Sequence, residues 1–183
     1  MANKKNTTSV DIKENEIVIE DQEPKKATKK PIIPKDVDPN QIVLVTNGFQ
    51  GRLVYVSPRT RERYTWDEYG DTQEMEVREL RNVKSSAKKF FENNWFVFDD
   101  ENDWVVSYLG LNKFYKNAIK LDEFEDLLSK SPSEVSAIIE KLSAGQKKSL
   151  SYKVRSMVAE GKVDSLKMID ALEKALGIEL IEK

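Results

Sequence analysis

Neither histidine nor cysteine occurs in this chain of 183 residues. Without histidine there is no imidazole to serve as a base or proton shuttle near neutral pH. Without either residue the usual zinc and iron–sulfur ligand sets cannot be assembled. Cysteine nucleophiles, Cys–His pairs and Ser–His–Asp triads are excluded. Catalysis would have to rest on carboxylates, on Ser–Lys chemistry or on an oxygen-ligated hard metal. Long apolar runs are missing too, so no transmembrane helix is expected and a membrane is not among the expected partners. The opening Met-Ala-Asn-Lys-Lys continues into polar residues, and no secretory signal is expected. With no disulfides to indicate an oxidising compartment, synthesis inside a cell is the default. A strong excess of either charge is also absent. The formal net charge of −2 gives no global basic field to attract nucleic acid. What is present, 39% hydrophobic and 34% charged residues, suits a globular protein with a busy polar surface. Binding or assembly is the expected class of function.

Residues 1–40 differ from the rest. They have no aromatics, balance eight Lys against eight Asp or Glu, and carry Pro24, Pro31, Pro34 and Pro39. Such a stretch buries too little apolar surface to offset its ordering entropy, so a flexible or extended arm is expected. Two patches interrupt its polarity. Ile17-Val18-Ile19 could add as a strand to an exposed sheet edge, and Ile32-Ile33, between Pro31 and Pro34, could lie extended in a groove.

From Gln41 the chain turns strand-like. Ile42–Val45 is β-rich, Asn47-Gly48 and Gly51 mark a turn, and Arg52–Val56 followed by Glu62–Trp66 reads as a hairpin turning near Pro58–Arg61. Gln73–Val77 is a further strand. The expectation is an antiparallel β-meander or small open barrel. Leu80, Val83, Ala87, Phe90 and Phe91 then recur at helical spacing over Arg78–Asn93, and Trp95–Phe98 reads as a buried extended segment. Asp99 and Asp100 are expected to open a run of helices. Ser131-Pro132-Ser133-Glu134 combines an N-cap, a first-turn proline and a capping glutamate, and Ser143 with Gln146 repeats the signal. Gly161 and Gly177 act as stops. The expected class is therefore α+β, in three parts: residues 1–40 as the arm, 41–98 as β-meander plus helix, and 99–183 as a mainly helical bundle.

Candidate chemistry is sparse. Asp99-Asp100-Glu101-Asn102-Asp103 is the densest acidic cluster. A calcium loop starting there would place Trp104 where glycine is required and Gly110 where the bidentate glutamate belongs, so helix-start capping is the expected role. Ser85-Ser86-Ala87-Lys88-Lys89 holds Ser-x-x-Lys twice, without the companion motifs of acyl enzymes. Asn47–Gly51 is glycine-rich but lacks a Lys-Ser/Thr tail and leads into a strand, so it is a turn rather than a phosphate loop. No catalytic residue, cofactor or metal is expected. Arg59, Arg61 and Arg63 alternate toward Tyr64 and Trp66 on the hairpin; a polar hairpin tip with Tyr64 and Trp66 packing on the sheet is the leading expectation, and the arginines equally suit partner contacts. Phosphate contacts with base stacking are the alternative, diluted by Glu62, Asp67 and Glu68. Phe90, Phe91, Trp95, Phe96 and Phe98 are expected to be core that joins the sheet to the helices.

The block Asn47–Ser57, its continuation Tyr64–Asp71, the stretch Lys89–Trp95 and the helical tail Ser149–Ile181 resemble small structural proteins of tailed bacteriophages. The resemblance spans residues 41–183. It implies a non-enzymatic virion component of head, neck or tail, made in the host bacterial cytoplasm and present in many copies. Its expected partners are other virion proteins and copies of itself. It carries over no individual functional residue. Contacts are expected through Ile17, Val18, Ile19, Ile32 and Ile33 of the arm and through Arg59, Arg61 and Arg63. The alternative is a small regulatory protein that binds nucleic acid or host transcription machinery through the Arg59–Trp66 hairpin.

Overall fold

A computed structural model describes residues 34–120 and 123–181. The chain divides into two units at residue 31, and the described residues belong to the second. Ile17, Val18, Ile19, Ile32 and Ile33 lie outside them.

The β-region is built on strict alternation. In strand β1 (Ile42–Asn47), Val43, Val45 and Asn47 point inward while Ile42 and Leu44 face solvent. Strand β4 (Thr72–Glu76) runs antiparallel along one edge of β1, with Met75 opposite Val43. Strand β5 (Phe96–Val97) takes the other edge, with Phe96 opposite Asn47. Between β1 and β4 the chain leaves to form a separate hairpin, β2 (Leu53–Val56) and β3 (Arg63–Trp66), with Tyr55 opposite Tyr64. The class is α+β and the pairing antiparallel, as expected, but the strands do not follow in meander order: one sheet is β4-β1-β5, the other β2-β3. Side chains secure the hairpin to the sheet where a ladder would otherwise run. The Trp66 indole N–H donates to Val45 O at 2.8 Å, and Gln73 Nε2 donates to Thr65 O at 2.9 Å. The segment before β1 is fastened as well: Arg78 N–H donates to Pro39 O at 2.8 Å, and Val37 packs on the core.

The helix expected over Arg78–Asn93 is two helices, α1 (Val77–Ser86) and α2 (Lys89–Glu92). Ala87, at φ −143° and ψ 44°, breaks the helical path. The break redirects the chain so that Phe90 and Phe91 both reach Phe96, with ring centroids 4.9 and 5.6 Å away. The five aromatics of this stretch are core, as expected: Phe90, Phe91, Phe96 and Phe98 are buried and Trp95 is half-buried. Short helices α3 (Trp104–Tyr108) and α4 (Asn112–Tyr115) close this first core with Trp104, Val105, Leu109 and Leu111.

A second core belongs to the helices that follow: α5 (Glu123–Leu128), α6 (Pro132–Glu140), α7 (Ala144–Ala159) and α8 (Leu166–Leu176). Val135, Ile139, Leu150, Val154 and Leu172 form its centre. The Ser131 capping box is complete: Glu134 N–H donates to Ser131 Oγ at 3.4 Å and Ser131 N–H to Glu134 Oε2 at 3.1 Å. The Ser143 box is half made. Ser143 Oγ accepts from Gln146 N–H at 3.2 Å, but the Gln146 side chain donates to Ile119 O at 3.0 Å instead of returning to the cap. Ser165 precedes α8, and Gly177 ends it with a left-handed φ of 67°.

The two cores meet where backbones nearly touch. Ser149 Oγ donates to Gly48 O at 2.9 Å and accepts from Gln50 N–H at 3.1 Å. A Cβ on Gly145 would lie 2.3 Å from Asn93 O and 2.8 Å from Trp95 Nε1.

Candidate functional site

The β2–β3 hairpin carries the arginines singled out by sequence, and the fold gives each a different task. The turn is closed by Ser57 N–H donating to Glu62 O at 2.9 Å and Arg61 N–H to Ser57 O at 3.0 Å. Arg61 has a left-handed φ of 64°, which places it at the tip. Arg63 opens β3 directly opposite Val56 on the outer face. Arg61 and Arg63 are exposed and make no ion pair among the described residues.

Arg59 is not free in the same way. Its guanidinium lies 3.9 Å from Glu79 Oε2, and Glu79 is only 2% exposed. The Glu79 carboxylate accepts from Tyr55 OH at 2.8 Å and from Asn82 Nδ2 at 3.0 Å. Burial is the largest influence on this carboxyl and opposes its charge, but the Ser57, Tyr55 and Asn82 donors and the Arg59 cation together outweigh it. The carboxyl therefore sits below the ordinary range. Desolvation, reinforced by the neighbouring Glu79, pushes Tyr55 up to about 12. Arg59 thus covers a buried carboxylate, a pairing that no local pattern reveals because Glu79 lies twenty residues away on α1.

The aromatics that would stack on bases are turned inward. Trp66 is fully buried with its indole on Val45, and Tyr64 is buried with its hydroxyl donating to Glu62 Oε2 at 2.8 Å. The two rings of Tyr55 and Tyr64 stack on each other at 6.0 Å.

Beside the hairpin lies an open groove of about 710 Å³. One wall is β2 with Pro58. The other is the α1–α2 junction, through Ser86, Ala87, Lys89, Phe90 and Trp95. Both serines of the Ser-x-x-Lys pairs are tied into their own helix, with Ser85 Oγ donating to Arg81 O at 3.1 Å and Ser86 Oγ to Asn82 O at 2.8 Å. Lys88 pairs with Glu92 at 2.9 Å. Lys89 makes no ion pair among the described residues.

The acidic cluster does not open a helix as expected. Asp99 Oδ1 accepts from Asn102 N–H at 2.8 Å and from Asn102 Nδ2 at 2.7 Å, which makes a turn, and α3 begins only after Asp103. Asp100 pairs with Lys120. No group of three or more acidic residues stands close enough to hold a metal ion among the described residues. Asn47–Gly51 is a turn, as expected, and buried Asn47 organises it: Nδ2 donates to Gly51 O and Glu68 O, each at 2.8 Å, while Oδ1 accepts from Phe49 N–H at 2.8 Å. Gly48 is confined by its neighbours, since an added Cβ would lie 2.5 Å from Asn94 O.

Comparison with protein-family models, with curated proteins and with solved structures returns no match. No helix among the described residues is long and apolar enough to cross a membrane.

Proposed function

We propose that this chain is a non-enzymatic structural or assembly protein of a tailed-bacteriophage particle, at the head, neck or tail. It acts by protein–protein contacts, and its N-terminal arm orders on neighbours. The observation that carries this reading is the hairpin region. It offers a groove walled by a strand edge that faces no other strand among the described residues and lined by exposed Lys89, with exposed Arg61 and Arg63 on the same hairpin making no ion pair among the described residues. These are features of a docking surface for extended chain. The resemblance of Asn47–Ser57 and Lys89–Trp95 to small virion proteins and the arm's aromatic-free composition support the same conclusion. Partners are other virion proteins and further copies of this chain, and the particle is its location after synthesis in the host bacterium.

The regulatory alternative draws on the same arginines. It is weakened by Arg59 covering Glu79 and by the burial of Tyr64 and Trp66, which leaves no aromatic platform on the hairpin for bases. Mass spectrometry of purified particles decides between them. The chain should be present at a fixed, multiple copy number. Absence from particles, together with salt-sensitive submicromolar binding to DNA or RNA, would establish the alternative.

A further inference from the structure

An unpaired strand edge is a row of hydrogen-bonding groups that must be covered or used. The edge of β2 turned away from β3 faces no other strand among the described residues. The ladder phase fixes which groups it offers. Ser57 N–H donates to Glu62 O, and the register runs Tyr55 to Tyr64 and Leu53 to Trp66. Leu53 and Tyr55 therefore direct their backbone groups at β3, and Val54 and Val56 direct theirs outward. Val56 is 48% exposed. The groove runs along this edge, with Ala87, Phe90 and Trp95 supplying its opposite, apolar wall and Lys89 a cation.

The chain itself contains a segment of matching chemistry. Ile17-Val18-Ile19 is three β-branched residues in a row, the composition that pleated surfaces favour. Glu14, Glu16, Glu20, Asp21 and Glu23 flank it, with no Lys or Arg between residues 14 and 23. Lys89, which lines the groove and makes no ion pair among the described residues, and Arg63, which stands opposite the groove-lining Val56 across the hairpin, are complementary to that run. Residues 21–33 separate the segment from Pro34 and span at most roughly 45 Å when extended, enough to cross to a neighbouring molecule.

We infer that β2 accepts, as an added antiparallel strand, residues 16–20 of a second copy of this chain. The inference rests on the assembly reading, in which arms order on neighbours, and names the acceptor for that arm. Val18 stands opposite Val54. Ile17 and Ile19 then fall opposite Tyr55 and Leu53, on the side of the strand that meets the apolar wall. Glu16 falls opposite Val56 on the outer face, in line with Arg63 across the hairpin. Donor segment and acceptor edge are different surfaces of one chain, so the contact is heterologous. Each copy gives one arm and receives one, which builds a ring where the rotation closes and a filament where it does not.

The absence of native cysteine allows a direct test on the full chain. Full-length Val18→Cys and full-length Val54→Cys proteins are mixed and treated with a short bismaleimide. Opposed Cβ atoms on paired strands lie about 5 Å apart, within its reach. A covalent heterodimer is expected. A mixture of Val18→Cys with Tyr152→Cys, an exposed position on α7, should not give one. Adding Ile17→Asp and Ile19→Asp to the donor should abolish the product. Val56→Pro in the acceptor should also abolish it, because proline removes an outward N–H while leaving the β3 ladder intact. A heterodimer that survives Ile17→Asp/Ile19→Asp would overturn the inference. So would no heterodimer at all. Particle mass spectrometry keeps the two claims apart. A cross-link with no chain in particles refutes the virion reading alone, and a chain in particles with no cross-link refutes the strand exchange alone.

Discussion

Gly145→Ala should destabilise this protein, although alanine is the better helix former. Gly145 lies in the first turn of α7, where the helix backbone approaches Asn93 and Trp95. The added Cβ would sit 2.3 Å from Asn93 O and 2.5 Å from Asn93 Cβ, far inside van der Waals contact with backbone that cannot swing aside. The helix must retreat, and retreat weakens the Ser149 bonds to Gly48 O and Gln50 N–H. Overpacking costs about 1–3 kcal/mol. Two weakened hydrogen bonds add about 1 kcal/mol each. The propensity gain returns about 1 kcal/mol at most. The net is a loss of about 2–4 kcal/mol, or roughly 4–16 °C in Tm for a domain of this size. Urea unfolding at fixed temperature, with Arg155→Ala as an exposed control on the same helix, measures it. Ser149→Ala, which removes the bonds without the clash, separates the two contributions. A Gly145→Ala protein as stable as the parent, or more so, would refute the close approach and with it the docking of the two cores.

Three further outcomes follow from the geometry. Glu79→Gln should lower stability at neutral pH and flatten its loss in acid. The folded carboxyl titrates below its ordinary value of 4.5, so its contribution is present above that value and lost as pH falls through the folded pKa; identical acid unfolding profiles for parent and variant would contradict this. Ser131→Ala should cost about 1 kcal/mol by removing the α6 cap, read as a lower urea midpoint with unchanged slope. Arg61→Ala and Arg63→Ala should each change stability by less than about 0.5 kcal/mol, whereas Arg59→Ala should cost more, because it uncovers Glu79; equal effects at all three positions would remove the distinction drawn between them.

Much of the fold was legible because the signals are local. Alternation in Ile42–Asn47 marks a half-buried strand, Ser131 with Glu134 marks a helix start, and Gly177 marks a stop, each within a few residues. The features that escaped depend on distant partners. The periodicity of Leu80, Val83, Ala87, Phe90 and Phe91 continues across the break at Ala87, which is set by packing around Phe96. Consecutive strands suggest a meander, yet Trp66 and Gln73 anchor the hairpin by side chains while β1 pairs with β4 and β5. Alternating arginines looked alike until Glu79 claimed Arg59. Gly145 gave no signal, since a glycine in a first helical turn is ordinary unless another backbone lies against it.

The proposal that the arm orders on neighbouring molecules is tested most directly by limited proteolysis of the chain free in solution and within purified particles, with fragments identified by mass. The account predicts cleavage ahead of Pro34 in the free protein and protection of the same sites in particles. Cleavage at equal rates in both states, or resistance already complete in the free protein, would contradict it.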